Sequence, residues 1–200
     1  MTVVKLESFS PDHIGVQDPV KQEELYLSKI TYNEADLVLQ TPKLKVRSIS
    51  MDNIELILND EMIKFLETYD KYMINTISTH SDSWFSKELT KNQVSQFYKK
   101  STVDDYDNDT KYCNFKVSDI VKIYSRTRDS LEVSDVEIGS EVIILVSAPY
   151  LVFYKSNCIP YWESLHIKIK EPKVEYNVEF RETEDKLKQP KIKLEEFGIN

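Results

Sequence analysis

Apolar and polar positions alternate with a period of two through most of the stretch 111–171, and the rest of the chain is organised around it. The alternation predicts four or five strands with tight connections, at 112–117, 120–126, 141–148, 150–155 and 162–170. The run 142–146 is apolar on both faces, so it is expected to be the most buried strand. Upstream, branched and aromatic residues alternate with charge at 25–32, 36–41 and 44–49, and Pro42 separates the last two. A further short strand is expected at 54–58.

The period then changes. Met62, Phe65, Leu66, Tyr69, Tyr72, Met73 and Ile77 fall at three- and four-residue spacings, which predicts a helix over 60–78 capped by Asn59 or Asp60. Thr90 and Gln93 have the spacing of a capping box, and Leu89 and Val94 that of a hydrophobic staple, so a second, shorter helix should begin there with Val94, Phe97 and Tyr98 inward. Between the helices, Trp84 and Phe85 are expected to anchor the connection to the sheet. Residues 1–22 carry Pro11 and Pro19 and little periodicity, as an extended arm would. Val174, Tyr176, Val178 and Phe180 alternate with Glu175, Asn177, Glu179 and Arg181, the pattern of an edge strand or of one donated to a partner sheet. The last stretch, 186–200, is charged, with Leu194, Phe197 and Ile199 as its anchors. The chain thus divides into an arm (1–22), a β domain with a helical insertion at about 60–100 (23–171), and a C-terminal strand and tail (172–200). The fold class is mainly β with one or two helices, α+β. Strands, then a helix, then strands is also the element order of a five-stranded OB-type barrel, although other small barrels and sandwiches fit it too.

Composition narrows the function. The chain has 200 residues and a formal charge of −8, which argues against a uniformly basic coat for nucleic acid but leaves room for a local basic face. Only three glycines occur, too few for a Rossmann or P-loop phosphate cradle. Two cysteines, no secretion signal and no long apolar run suit an intracellular, reduced and soluble chain with no membrane span. No catalytic or metal-binding constellation stands out. His13, His80 and His166 are scattered, and the acidic cluster Asp104, Asp105, Asp107 and Asp109 has Thr110 where a calcium loop needs glycine and Lys116 where it needs glutamate. No cofactor is expected, and the protein is expected not to be an enzyme.

Surface recognition is what remains. If Leu44 and Val46 point inward, Lys43, Lys45 and Arg47 share the opposite face of their strand. In the next strands Cys113, Phe115 and Val117 form an inward set, leaving Tyr112 and Lys116 outward, while Lys122, Tyr124 and Arg126 project together. In the last strand Leu165, Ile167 and Ile169 take the core face, leaving Trp162, His166, Lys168 and Lys170 on the other. Aromatic and basic residues on shared faces suit single-stranded nucleic acid, whose bases stack on rings while cations follow the phosphates. The same rings also suit a second core layer or a subunit interface.

The segments Leu39-Gln40-Thr41-Pro42-Lys43-Leu44-Lys45-Val46, Val121-Lys122-Ile123-Tyr124, Asp135-Val136-Glu137-Ile138-Gly139-Ser140-Glu141-Val142 and Tyr150-Leu151-Val152-Phe153-Tyr154, with the helix and the tryptophan-bearing connection, resemble proteins of nucleocytoplasmic large DNA viruses. Within that group the chain is similar, over about 25–171, to a poorly characterised family that itself resembles phage-type single-stranded-DNA-binding proteins of OB fold. The resemblance implies an OB-like small β-barrel and a non-catalytic role in binding single-stranded DNA. It implies work in the host cytoplasm or viral factory, or in the virion. The DNA-contacting set would be Lys43, Lys45, Arg47, Tyr112, Lys116, Lys122, Tyr124, Arg126, Trp162 and Lys168. Two departures stand: Asn157-Cys158-Ile159-Pro160 replaces the glycine expected after the penultimate strand, and the tail is not acidic, with only Glu195-Glu196-Phe197 echoing the recruiting tail of such binders. The alternative is a structural or assembly protein of a large virus particle that buries the same rings against neighbours, as a homo-oligomer or with a protein partner held through 174–180 or the tail.

Overall fold

The structure, a computed structural model, describes residues 3–171. Eleven strands and two α-helices make it mainly β, in the α+β class. Before the helices come β1 (Ile14–Val16), β2 (Val20–Gln22), β3 (Leu25–Tyr32), β4 (Val38–Gln40), β5 (Leu44–Ile49) and β6 (Asn53–Ile57). The helices are α1 (Asp60–Phe85) and α2 (Lys91–Phe97). After them come β7 (Val103–Asp105), β8 (Thr110–Tyr124), β9 (Ser130–Leu131), β10 (Glu141–Phe153) and β11 (Cys158–Glu171).

Five of these strands pair in a closed circuit, β5–β6–β8–β11–β10 and back to β5. Every link is antiparallel except β8–β11, which is parallel. Leu44, Val46, Ile54, Leu56, Phe115, Val142, Ile144, Val146 and Ile167 are buried within this circuit. The run 142–146 supplies three of them, while Ile143 and Leu145 stay half-buried on its other side.

The long strands serve two sheets. The stretches 141–148 and 150–155, expected as separate strands, are joined in β10, which ends at Phe153 and has a register shift between Ser147 and Tyr150. Pro149 sits in that gap, where a residue without an N–H interrupts the ladder least. The first half of β10 closes the circuit; the second half pairs with β3. The stretch expected to be an arm is built into this outer sheet, because β1 and β2 pair along the far side of β3. Phe9 anchors it further, stacking on Tyr32 and meeting Phe65 edge-on.

Helix α1 begins where Asn59 accepts a 3.0 Å hydrogen bond from the Met62 amide. Met62, Phe65, Leu66, Tyr69, Met73 and Ile77 are all buried. It runs past the expected end because Ser81 is buried and tied, accepting from the Leu89 amide at 2.9 Å and donating to the Ser78 carbonyl at 2.8 Å. Trp84 and Phe85 therefore ride on its last turn, and Ser86 ends it in the left-handed conformation. The capping box opens α2 as expected, with Thr90 and Gln93 satisfying each other's amides. Asp70 ties the helices to the sheet: its carboxylate accepts from the Tyr98 hydroxyl (2.8 Å), the Ser101 amide (2.8 Å) and the Ser101 hydroxyl (2.7 Å). Burial pushes this carboxyl above its ordinary range, while the bonds from Ser101 and Tyr98 and the charge of Lys100 pull it back.

Cys113 and Cys158 are buried free thiols, and burial raises both. No helix among the described residues is long and apolar enough to cross a membrane. The expected strand at 174–180 and the tail lie outside the described residues.

Candidate nucleic-acid interface

The parallel pairing of β8 with β11 decides which side chains meet. Ile123 and Ile167 lie side by side and point inward, so Lys122, Tyr124, His166 and Lys168 point outward. The register sets Lys122 beside His166 and Tyr124 beside Lys168. The Tyr124 and His166 rings lie parallel, 11° between planes and 6.1 Å between centroids, on the diagonal of that quartet. Across β11, Ile143 stands beside Lys168 and Leu145 beside His166, both half-buried, and Gln40 of β4 follows Leu145. The result is a ring platform with an apolar margin and a lysine at each of two opposite corners.

The remaining expected contacts divide. Arg126 follows β8 and borders a shallow depression of about 370 Å³ shared with Asp135, Glu137 and Lys170. Lys43 is ion-paired with Glu141 at 2.8 Å, and exposed Lys45 lies opposite the same Glu141. Lys116 is exposed but sits between Asn53 and Glu163 in the register, away from the platform.

Arg47 and Tyr112 are placed differently from the expectation. The Arg47 guanidinium lies 4.2 Å from the centroid of the Tyr112 ring and donates to Asp105 at 3.0 Å and to Glu55 at 2.6 Å. Asp105 and Glu55 raise the Arg47 pKa further, and Arg47 in turn holds the Asp105 carboxyl below its usual range. Two carboxylates neutralise the cation and the cation covers the ring, so this pair locks β5, β6, β7 and β8 together instead of forming a basic face.

Trp162 corrects the strand assignment. It is 3 % exposed and points inward, against Tyr69 at 4.9 Å, Phe65 at 6.1 Å and Phe115 at 6.4 Å between centroids. Its indole N–H donates to the Ser101 hydroxyl at 3.0 Å. The cause is an irregularity in β11 between Ser164 and His166. Trp162 and Ser164 are inward before it, Ile167 and Ile169 after it, so one period-two frame cannot serve the whole strand.

Two features went unselected in the sequence. Alternation puts His166 on the outer face, but nothing along its own strand marks it as a contact, because its ring partner Tyr124 lies on a strand some 40 residues earlier. A groove of about 620 Å³ also opens where the end of α1 meets β3 and β10, lined by Tyr26, Trp84, Phe85, Phe153 and Tyr154. Trp84 is fixed there by stacking on His80 and by donating to Asp18 at 2.8 Å. The i, i+4 spacing of His80 and Trp84 was the available signal, once the helix is carried past residue 78. Among the described residues no group of three or more His, Cys, Asp or Glu could hold a metal ion.

Comparison with known proteins gives three findings. No curated protein matches the sequence. Solved structures similar to this one include the single-stranded DNA-binding protein from bacteriophage Enc34 in complex with ssDNA, at 12 % identity over 78 % of this chain and 96 % of that one, with a TM-score of 0.48. They also include gp2.5, a single-stranded DNA binding protein encoded by bacteriophage T7, at 10 % identity over 71 % of this chain and 96 % of that one, also with a TM-score of 0.48. The profile of a family of unknown function (DUF5871) matches residues 42–182, which takes in the whole circuit of strands and both helices, and the chain belongs to that family.

Proposed function

We propose that this chain is a non-catalytic single-stranded-DNA-binding protein of a large DNA virus, that its closed circuit of five strands is an OB-like barrel, and that it holds DNA on the outer face of β8 and β11. The observation that carries the proposal is the parallel Tyr124 and His166 pair with Lys122 and Lys168 beside it. Bases of any identity stack on such rings, and the flanking ammonium groups meet the phosphates. Ile143 and Leu145 give the margin on which a splayed base can rest without leaving a polar group unpaired. A chain of net charge −8 can still bind this way, since the cations act at contact distance while distant acids are screened by salt. The viral setting, in the host cytoplasm, viral factory or virion, is supported by the sequence resemblance.

The test is a titration with a labelled oligonucleotide at low and moderate salt. Single-stranded DNA should bind more tightly than duplex, and affinity should fall steeply with salt because each neutralised phosphate releases counterion. Tyr124→Ala should weaken binding by about 1–3 kcal/mol without lowering fold stability. Lys122→Ala and Lys168→Ala should each reduce the salt slope by about 0.7. Undetectable binding at low salt removes the proposal.

A further inference from the structure

The outer sheet carries an apolar row that is closed at its middle, where Val152 is 7 % exposed, and open at its ends. The registers align Val20 of β2, Leu27 of β3, Val152 of β10 and Ile159 of β11 in one line across four strands. Residues directly opposite in antiparallel pairs share a face, so these four do. It is the face turned away from α1: Phe153, of opposite parity to Val152, meets Trp84 and Phe85 of α1 edge-on. Exposure rises toward both ends of the row, to 37 % at Ile159 and 64 % at Val20. The Val20 end is also a bare edge. Among the described residues β2 pairs only with β3, and Val20, Lys21 and Gln22 are all exposed. An edge strand presents unpaired backbone groups to which another strand can add, and Val20 beside them offers an apolar contact.

From this we infer that β2 accepts the segment 174–180 of a second copy of this chain as an added strand. The two faces of that segment match those of β2. Val174, Tyr176, Val178 and Phe180 would extend the row beyond Val20, and Glu175 and Glu179 would lie on the side of Lys21. Opposite charges and apolar pairs across neighbouring strands are both stabilising. The family match runs through 182, so it includes this segment and stops before the charged tail.

Chain length favours a second copy as the donor. Glu171 lies at the far end of β11, opposite Glu141, whereas the row crosses β11 at Ile159. Twelve residues of strand separate them, about 40 Å at a rise of about 3.3 Å per residue. Val178 is seven residues past Glu171 and can reach at most about 25 Å. The segment is thus shorter than the path back along β11 toward its own β2, which lies three strands further across, and a neighbour's β2 carries no such limit. The inference is independent of the DNA-binding proposal, since β2 and the Tyr124 platform share no residue.

Sedimentation velocity of the full chain over a range of concentrations tests it. The unaltered protein should associate, and Val20→Lys and Val178→Lys should each weaken association by tenfold or more. Val178→Lys alters no residue of the described fold, and a urea titration checks that Val20→Lys stays folded. Val20→Lys keeps the donor and Val178→Lys keeps the acceptor, so mixing the two variants should restore a heterodimer that neither forms alone. A monomer at every concentration, or a mixture that remains monomeric, overturns the inference. So does association lost in Phe85→Lys but kept in Val20→Lys, which would make the aromatic groove on the opposite face the acceptor.

Discussion

Replacing Trp162 separates a core role from a DNA-stacking role, and the structure sets the size of the effect. The indole is 3 % exposed, touches three aromatic rings and donates to Ser101, which in turn donates to the buried Asp70. Truncating a buried tryptophan to alanine costs about 3–5 kcal/mol in lost transfer energy and residual cavity. Losing the indole hydrogen bond adds about 0.5–1.5 kcal/mol. With a urea m-value of about 2 kcal/mol/M, the midpoint should fall by about 2–3 M, enough to unfold much of the population of a marginally stable domain. Trp162→Phe keeps an aromatic ring in the same contacts and should cost only about 1–2 kcal/mol, mostly from the lost indole hydrogen bond, since the Ser101 hydroxyl still donates to Asp70. Urea titrations followed by far-UV circular dichroism give both stabilities, and Trp84 remains as the sole fluorescent indole. Oligonucleotide affinity of the folded Trp162→Phe variant should equal that of the parent. Reduced affinity at unchanged stability would refute the inward placement and return Trp162 to the DNA-binding surface.

Ile144 lies fully buried at the centre of the circuit, so Ile144→Ala should cost about 2–5 kcal/mol by urea denaturation; a loss under about 0.5 kcal/mol would contradict its burial. Asp70 gives a pH signature. A carboxyl held above its ordinary value in the fold keeps a proton that the unfolded chain has released, so its contribution is fully present below about pH 4 and is lost as pH rises through the folded value. The stability deficit of Asp70→Asn, which lacks this titration but strands a donor, should therefore shrink between pH 4 and neutrality; a deficit that grows with pH would show the carboxylate to be net stabilised. Asp105 has the opposite sign. Its carboxyl is held low by Arg47 and Asn108, so that contribution is present above the ordinary carboxylate value and is lost as pH falls through the folded one. Arg47→Met should flatten this acid-side loss in a denaturation series, and an unchanged series would mean that the ion pair contributes nothing.

The features legible from sequence were those with local causes. The capping box of Thr90 and Gln93 and the Asn59 cap are written within four residues each, and both are present. The apolar stripe of α1 needed only its own spacing. The faces of β8 near Lys122 and Tyr124 follow from simple alternation, and they hold. What failed depended on a neighbour. The irregularity near Leu165 appears only when β11 is laid against its neighbours β10 and β8, and it inverts the parity that simple alternation gives Trp162. The Arg47 and Tyr112 pairing with Asp105 joins residues 58 positions apart, so a charge count along one strand could not show that the cation was already neutralised. Pro149 was readable as a break, but not as a bend that lets one strand serve two sheets.

The parallel link between β8 and β11 has a consequence for how the chain comes to be folded. Residues 110–124 find no partner on that side until 158–171 are present, and β10 lacks its neighbour on one edge until the same strand arrives. Until then Phe115, Ile123 and Ile144 have only part of their cover, and α1 lacks Trp162 beneath it. Sheet contacts between such distant segments make folding slow, because loop-closure entropy is lost before they form. A nascent chain emerging from the ribosome should therefore remain protease-sensitive across 60–150 until 171 has cleared the exit tunnel, and then become resistant across the whole span at once.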